Sequence, residues 1–195
     1  MYRLKLGLVI SGVVLVGAAT AALAAGTRTH AVVFEAFTAA GTPALHVTST
    51  ARGTCNEGSS AIDRDDAWRC FAGNFVYDPC FSSIASNRIV LCPAGPWSGS
   101  GVEIKLASKL AGANRRKAST SGNPWAIQTT SGLRCQIATG ATAVLDHRRA
   151  NYFCRKSKDI LWGSPSRKSE PWTIFAAPLS ARRLTRRVGV RVAWF

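Results

Sequence analysis

Chemistry-bearing patterns are scarce in this chain. Histidine occurs three times, and no Cys-x-x-Cys or Cys/His pair has the spacing of zinc ligands. No Gly-x-Ser-x-Gly or Ser-x-x-Lys is present, which removes two common serine-nucleophile signatures. Acidic residues number only 10 against 25 Lys and Arg. The one acidic cluster, Glu57, Asp63, Asp65 and Asp66, lacks the glycine-bearing loop of a calcium site. Its plain role is a solubilising turn paired with Arg64 or Arg69. Nothing in these patterns calls for a metal or a cofactor. Helix signals are also few. Residues 60–68 can give a turn or two, with Ser60 and Asp63 in capping-box-like spacing. Residues 181–188 read as a loop feeding the last strand.

What is present begins with an export signal. Arg3 and Lys5 precede an uncharged run from Leu6 to Leu23, and Ala22-Leu23-Ala24 has the form of an A-x-A cleavage site. Residues 1–24 therefore read as a signal peptide. An uncleaved anchor is the alternative, because the apolar run is just long enough to span a bilayer. The first cysteine, Cys55, stands far from this run, which argues against a lipid-modified terminus. The six cysteines Cys55, Cys70, Cys80, Cys92, Cys135 and Cys154 are even in number, so an exported chain is expected to form three disulfides. Cys135 and Cys154 stand alone in the second half and are expected to pair. Their bond closes a loop of about twenty residues, roughly 3 kcal/mol in the chain-entropy model. Spacing alone leaves the other four open, with Cys55–Cys70 and Cys80–Cys92 as the expected arrangement.

Strand signals dominate the mature chain. Residues 31–37 (AVVFEAF) and 45–50 (LHVTST) flank a Gly-Thr-Pro turn and read as a hairpin. Residues 68–72 and 75–77 flank Gly73-Asn74, a two-residue hairpin signal. Residues 102–106 alternate strictly, with Val102, Ile104 and Leu106 on one face. Further short runs follow at 89–92, 125–129, 133–137, 152–154, 160–162 and 172–175. The last run places Val188, Val190, Val192 and Trp194 on one face, with Arg187 and Arg191 on the other. Such spacing predicts a mainly β chain, a single disulfide-stapled antiparallel sandwich or barrel-like domain with little helix. Residues 25–195 suit one domain, with room for two lobes joined near residues 111–123.

Several blocks carry a resemblance. Asp66-Ala67-Trp68-Arg69-Cys70 is followed by Tyr77-Asp78-Pro79-Cys80-Phe81, then Val90-Leu91-Cys92-Pro93, Trp125-Ala126-Ile127, Asn151-Tyr152, Cys154 and Trp172-Thr173-Ile174. In these blocks the chain resembles a family of uncharacterised exported proteins from actinobacteria, over most of its length from about Val47 onward. The resemblance implies secretion and a disulfide-bonded fold, and it implies no activity. Some relatives carry the region as the exported part of membrane-bound regulators, which implies sensing or binding. The chain departs from the pattern at Asn56, where an aromatic is expected after the first cysteine.

Candidate chemistry follows from charge. The formal net charge is +15. From residue 147 onward twelve Lys and Arg face only Asp159 and Glu170. Arg148, Arg149, Arg155, Lys156 and Lys158 surround Tyr152 and Trp162, and Arg182, Arg183, Arg186, Arg187 and Arg191 crowd the last segment. Guanidinium forks suit phosphate and carboxylate, and aromatic faces suit sugars or bases. The plain alternatives are a solvated basic surface and a buried aromatic core. The expected partner is an acidic cell-envelope polymer or an anionic membrane surface, outside the cell or in its envelope. Nucleic acid has the right charge and the wrong compartment. A second reading is a small secreted hydrolase using His147 with Asp146 or Asp78. Adjacent strand residues point to opposite faces, so a direct Asp146–His147 pair is not implied. A paired-carboxylate glycosidase would draw on Asp65, Asp78 or Glu103. A third reading is a sensory domain that binds a partner protein.

Overall fold

The computed structural model describes residues 28–110 and 119–195. The expected signal peptide and residues 111–118 of the expected linker lie outside the described residues. Among the described residues every regular element is a strand. In chain order these are β1 (His30–Val32), β2 (His46–Gly58), β3 (Ala67–Ala72), β4 (Phe75–Ser83), β5 (Ser86–Pro93) and β6 (Ser100–Leu106). There follow β7 (Ala126–Thr129), β8 (Arg134–Ile137), β9 (Val144–Leu145), β10 (Arg148–Cys154), β11 (Asp159–Ser166), β12 (Thr173–Pro178) and β13 (Arg187–Trp194).

These strands make two closed sheets. Strands β2 to β6 form a barrel in which each strand pairs antiparallel with the next. An odd number of alternating strands must close in parallel, and β2 pairs parallel with β6, from His46 opposite Ser100 to Gly53 opposite Leu106. The second sheet runs β13-β12-β11-β10-β8-β7, and an antiparallel pairing of β13 with β7 closes it. Its even strand number allows that closure. β1 lies parallel beside the end of β13.

The sequence pattern explains the interiors. Val102, Ile104 and Leu106 of β6 point into the first barrel with Val90, Ala72, Leu110 and the sulfurs of Cys70, Cys80 and Cys92. The second interior holds Ile127, Cys135, Tyr152, Leu161, Trp172, Ile174, Val190 and Phe195. All six cysteines are bonded, as Cys55–Cys70, Cys80–Cys92 and Cys135–Cys154. Each disulfide joins neighbouring antiparallel strands, with Cα–Cα distances of 4.1, 4.1 and 3.9 Å. Those distances suit residues directly opposed across a ladder.

A third cluster welds the barrels together. Trp125, just before β7, packs edge-on against Phe34 with ring centroids 5.4 Å apart and lies 6.1 Å from Phe81 of β4. Ala61, Ile62, Ala67 and Leu91 complete it. Buried Arg64 crosses the same junction. Its guanidinium donates twice to Asp66, at 2.9 and 2.7 Å, and to the main-chain oxygens of Phe34 at 2.7 Å and Phe195 at 3.1 Å. It also lies 4.9 Å over the Phe81 ring.

Three local expectations are corrected. Residues 31–37 and 45–50 do not form a hairpin. Only Phe37 and Pro43 bridge, because β1 is claimed by β13 and β2 by β3 and β6. Residues 60–68 hold no helix. Ser59 Oγ accepts from the N–H groups of Ala61 and Ile62, and Asp78 binds Ser59 Oγ and both the N–H and Oγ of Ser60. The chain thus satisfies its donors while turning Ala61 and Ile62 into the junction. Finally, a bulge between Val190 and Val192 breaks the alternation of β13. Val190 points into the second barrel, and after the bulge Ala193 and Phe195 do so, while Trp194 turns outward onto Trp97 at the junction, 5.6 Å between centroids.

Candidate functional site

Strand register gathers cations at one end of the second barrel. The β10–β11 turn carries Arg155, Lys156 and Lys158. Lys156 has a positive φ of 55°, which turns the chain sharply. Arg155 N–H donates to the Arg134 carbonyl at 2.9 Å, so Arg134 of β8 lies beside this turn. On the other side Asp159 sits opposite Pro178, where β12 ends and segment 179–186 begins. Arg182 and Arg183 lie further along it, leading to Leu184, which is bound to Asp146 toward the other end of β10. Arg186 closes the group by pairing with Asp159 at 2.7 Å. Arg155, Lys156, Lys158, Arg182 and Arg183 are exposed, and none forms an ion pair among the described residues. The apolar side chains Phe153 and Leu179 are exposed at the same end. The arrangement offers several exposed, unneutralised cations on turns, which suits an extended polyanion better than a small ligand.

Other expected binding residues lie elsewhere. Arg148 and Arg155 stand at opposite ends of β10, roughly 20 Å apart at ~3.3 Å per residue. Arg148 and Arg187 both stack on Phe175, with the guanidinium carbons 4.7 and 4.1 Å from its centroid. Segment 179–186 covers the outer cluster of Ala150, Ile160, Trp162 and Ala177 through Ala181 and Leu184. Arg149 is spent on the loop before β9, donating to the carbonyls of Ala138 and Gly140 at 3.1 and 2.7 Å. Arg191 is exposed at the β13 bulge.

Tyr152 and Trp162 are corrected as stacking platforms, because both are buried. Tyr152 fills the second barrel and its hydroxyl donates to the Pro124 carbonyl at 2.8 Å. Burial raises its pKa well above the usual tyrosine range, opposed by the Arg167 charge. Trp162 Nε1 donates to the Ala177 carbonyl at 3.0 Å.

The hydrolase candidates do not converge. Asp146 and His147 are the two central residues of the β9–β10 turn, with φ of 47° and 59°. Positive φ at both positions is the type I′ hairpin turn. His147 is exposed, and Asp146 instead accepts from the Leu184 N–H at 2.7 Å, tying segment 179–186 down. Asp78 belongs to the first barrel, holding Ser59 and Ser60. Two clefts exist near the junction. One of about 630 Å³ is lined by Ser59, Ser60, Asp63, Arg64, Trp68 and Asn123 among others. The other, about 1030 Å³, lies between residues 35–39 and the β4–β5 turn, with Glu35, Asp66 and Ile84 on its walls. Neither is lined by a histidine. The sulfurs of Cys70, Cys80 and Cys92 lie within 4.8 Å of one another, but all three are bonded in disulfides. In the acidic cluster Asp66 is held by Arg64, and Glu57 lies 3.5 Å from Arg69.

Sequence reasoning missed Arg134 and the tip of the β3–β4 hairpin. The signal for Arg134 was available, since an expected Cys135–Cys154 bond brings Arg134 beside Arg155. The signal for the hairpin was a Gly-Asn turn flanked on both sides by large apolar residues. No family model, curated protein or solved structure matches the chain.

Proposed function

We propose that the chain is an exported, disulfide-held binding module that docks the basic end of its second barrel on the acidic polymers or lipids of the cell envelope. Export is supported by residues 1–24 and by the three disulfides. The observation that carries the docking is the gathering of Arg134, Arg155, Lys156 and Lys158 near the Arg186–Asp159 pair. Cations this close act together on an extended anion, because their fields overlap within a Debye length of ~8–10 Å at moderate salt. Binding is then electrostatic, tolerant of polymer sequence and steeply weakened by salt.

Retention of the mature, oxidised chain on immobilised polyphosphate tests this reading. The chain is expected to bind at low salt and elute as salt rises. A variant carrying Arg134→Ser, Arg155→Ser, Lys156→Asn and Lys158→Ser is expected to elute much earlier. Asparagine is chosen at 156 because it tolerates positive φ. Removing four cations from the first barrel, as Arg52→Ser, Arg88→Ser, Lys105→Ser and Lys109→Ser, is expected to move the elution far less. Equal shifts from both sets would reduce the effect to net charge and end the reading.

A further inference from the structure

The β3–β4 hairpin presents the opposite chemistry. Gly73 and Asn74 form its two-residue turn, with positive φ at Gly73 alone, the type II′ pattern. Phe71 and Val76 are register partners and share the outer face. Phe75 and Tyr77 share the inner face, 6.2 Å between ring centroids. Tyr77 packs against the barrel interior, but Phe75 lies beyond it. Exposure is 68% for Phe75, 53% for Val76 and 36% for Phe71. A hairpin that is polar on one face can rest on a core and leave the other in water. This tip is apolar on both.

Cations flank the hairpin on its β2 side. Thr54 is opposite Phe71, and two residues earlier Arg52 is opposite Lys105, so Arg52, Lys105 and Phe71 share the outer face. Gly53 holds this junction together, for a Cβ there would stand 2.3 Å from the Phe71 carbonyl. The Gly53 carbonyl accepts from Ala107, whose own carbonyl accepts from Arg88 Nη1 at 3.3 Å. Arg69 completes the group, its guanidinium carbon 5.8 Å from the Phe71 centroid and partly balanced by Glu57.

We propose that the β3–β4 hairpin is an apolar finger that seats in an anionic lipid bilayer, with Arg52, Arg69, Arg88 and Lys105 meeting the headgroups. Shape selects a fluid medium over a protein. The tip is convex and apolar on both faces, so a flat protein surface would cover only one of them, whereas acyl chains envelop both. Charge selects the lipid. An apolar tip flanked by Lys and Arg suits an anionic membrane, which offers hydrocarbon to the tip and phosphate to the cations beside it. The inference deepens the envelope-docking reading by naming a lipid source for the anion, and it rests on that reading's placement of the chain outside the cell.

The test uses the mature, oxidised chain and vesicles of phosphatidylglycerol with phosphatidylcholine, against vesicles of phosphatidylcholine alone. The native chain is expected to co-sediment with the anionic vesicles. Phe75→Ser with Val76→Ser changes only exposed side chains and is expected to lower that partitioning at least about ten-fold, the scale of withdrawing a phenyl group from hydrocarbon. Its retention on polyphosphate should be unchanged. In a Phe75→Trp variant the added emission is expected to shift blue on anionic vesicles and to be quenched by lipids brominated on their acyl chains. No sedimentation with anionic vesicles, unchanged partitioning of the double variant, or an unquenched Phe75→Trp would each overturn the proposal. An earlier polyphosphate elution of the double variant would overturn it too, since the hairpin would then be part of the polyanion site. Loss of polyphosphate retention with intact vesicle binding would sink the basic-end reading and leave the finger standing.

Discussion

The two barrels share an architecture and differ in almost everything they display. Residues 28–110 contain seven Lys and Arg against seven Asp and Glu, whereas residues 119–195 contain thirteen against three. Their interiors differ as sharply. The first barrel is filled by small and branched side chains and by the sulfurs of two disulfides. The second is filled by Tyr152, Trp172, Phe195 and aliphatic partners. Strand number accounts for the contrast. A ring of five strands encloses less space than one of six, because barrel diameter grows with strand number. Aromatic rings fit the wider ring, and sulfur, compact and polarisable, fills the narrower one. The neutral barrel exposes large apolar side chains at its hairpin turns, Phe75 and Val76 at one and Ile84 at another, and the other barrel exposes charge at its strand ends. Similar frames thus carry two surfaces with different chemistry, joined by a common buried seam.

Breaking the seam should have the largest effect on this comparison. Trp125 is fully buried between the barrels, against Phe34 and Phe81. Trp125→Ala is expected to destabilise the chain by about 3–5 kcal/mol, the cost of deleting a buried aromatic. The guanidinium unfolding transition should move as a whole, read by both far-ultraviolet dichroism and tryptophan emission. If one part of the signal unfolds at its original midpoint, the barrels are independent units and the seam is only a contact.

Removing a disulfide from each barrel sharpens the contrast in fillings. Cys80 and Cys92 are both buried, whereas Cys154 of the second barrel is only half-buried. The chain-entropy model favours the second-barrel bond, whose sequence separation is 19 against 12. Burial favours the first, since removing its sulfurs opens a hole in a small core. Cys80→Ala with Cys92→Ala is expected to cost about 3–4 kcal/mol, and Cys135→Ala with Cys154→Ala about 2–3 kcal/mol. A reversed order in the denaturation midpoints would show that loop length governs and that sulfur is not acting as core.

How much of this was legible follows the range of the forces involved. The β class, the Gly73-Asn74 turn, the inward face of β6 and the Cys135–Cys154 bond were readable, because each rests on neighbours in sequence or on alternation. Spacing left the pairing of the other four cysteines open, and the register of β2 to β5 decides it. The pairing of β1 with β13 was not, since it joins residues more than 150 apart in the chain. Nor was the bulge at Val190–Val192, which turns Trp194 from the barrel to the seam. The basic end was half legible. Composition announced Arg155, Lys156 and Lys158, but only register separates them from Arg148 and Arg149 at the far end of β10. Tyr152 and Trp162 looked like ligand platforms because they sit among cations in sequence. Alternation along β10 puts the Tyr152 ring inside the barrel, and segment 179–186 covers Trp162 on the outer face; one carbonyl acceptor satisfies each.

The Tyr152 acceptor gives the smallest expected effect, and it concerns the second barrel alone. Tyr152 is the one buried tyrosine among the described residues. Tyr152→Phe deletes its bond to the Pro124 carbonyl and is expected to cost about 1 kcal/mol near neutral pH. At high pH the order should change. In the unfolded chain the phenol loses its proton near pH ~10. In the folded chain burial keeps it protonated, despite the opposing Arg167 charge. Above pH ~10 the folded state therefore binds more protons than the unfolded one, so stability is full below that pH and falls as pH rises. The fall is about 1.4 kcal/mol per pH unit. Tyr152→Phe has no proton to lose and escapes this part of the slope. The difference in stability between the two chains, followed by urea denaturation from pH 8 to 11, isolates the phenol from the lysines that titrate in both. The variant should overtake the native chain near the top of that range. Parallel curves would mean that the phenol ionises in place, and that the second barrel admits water where its aromatic filling is described as closed.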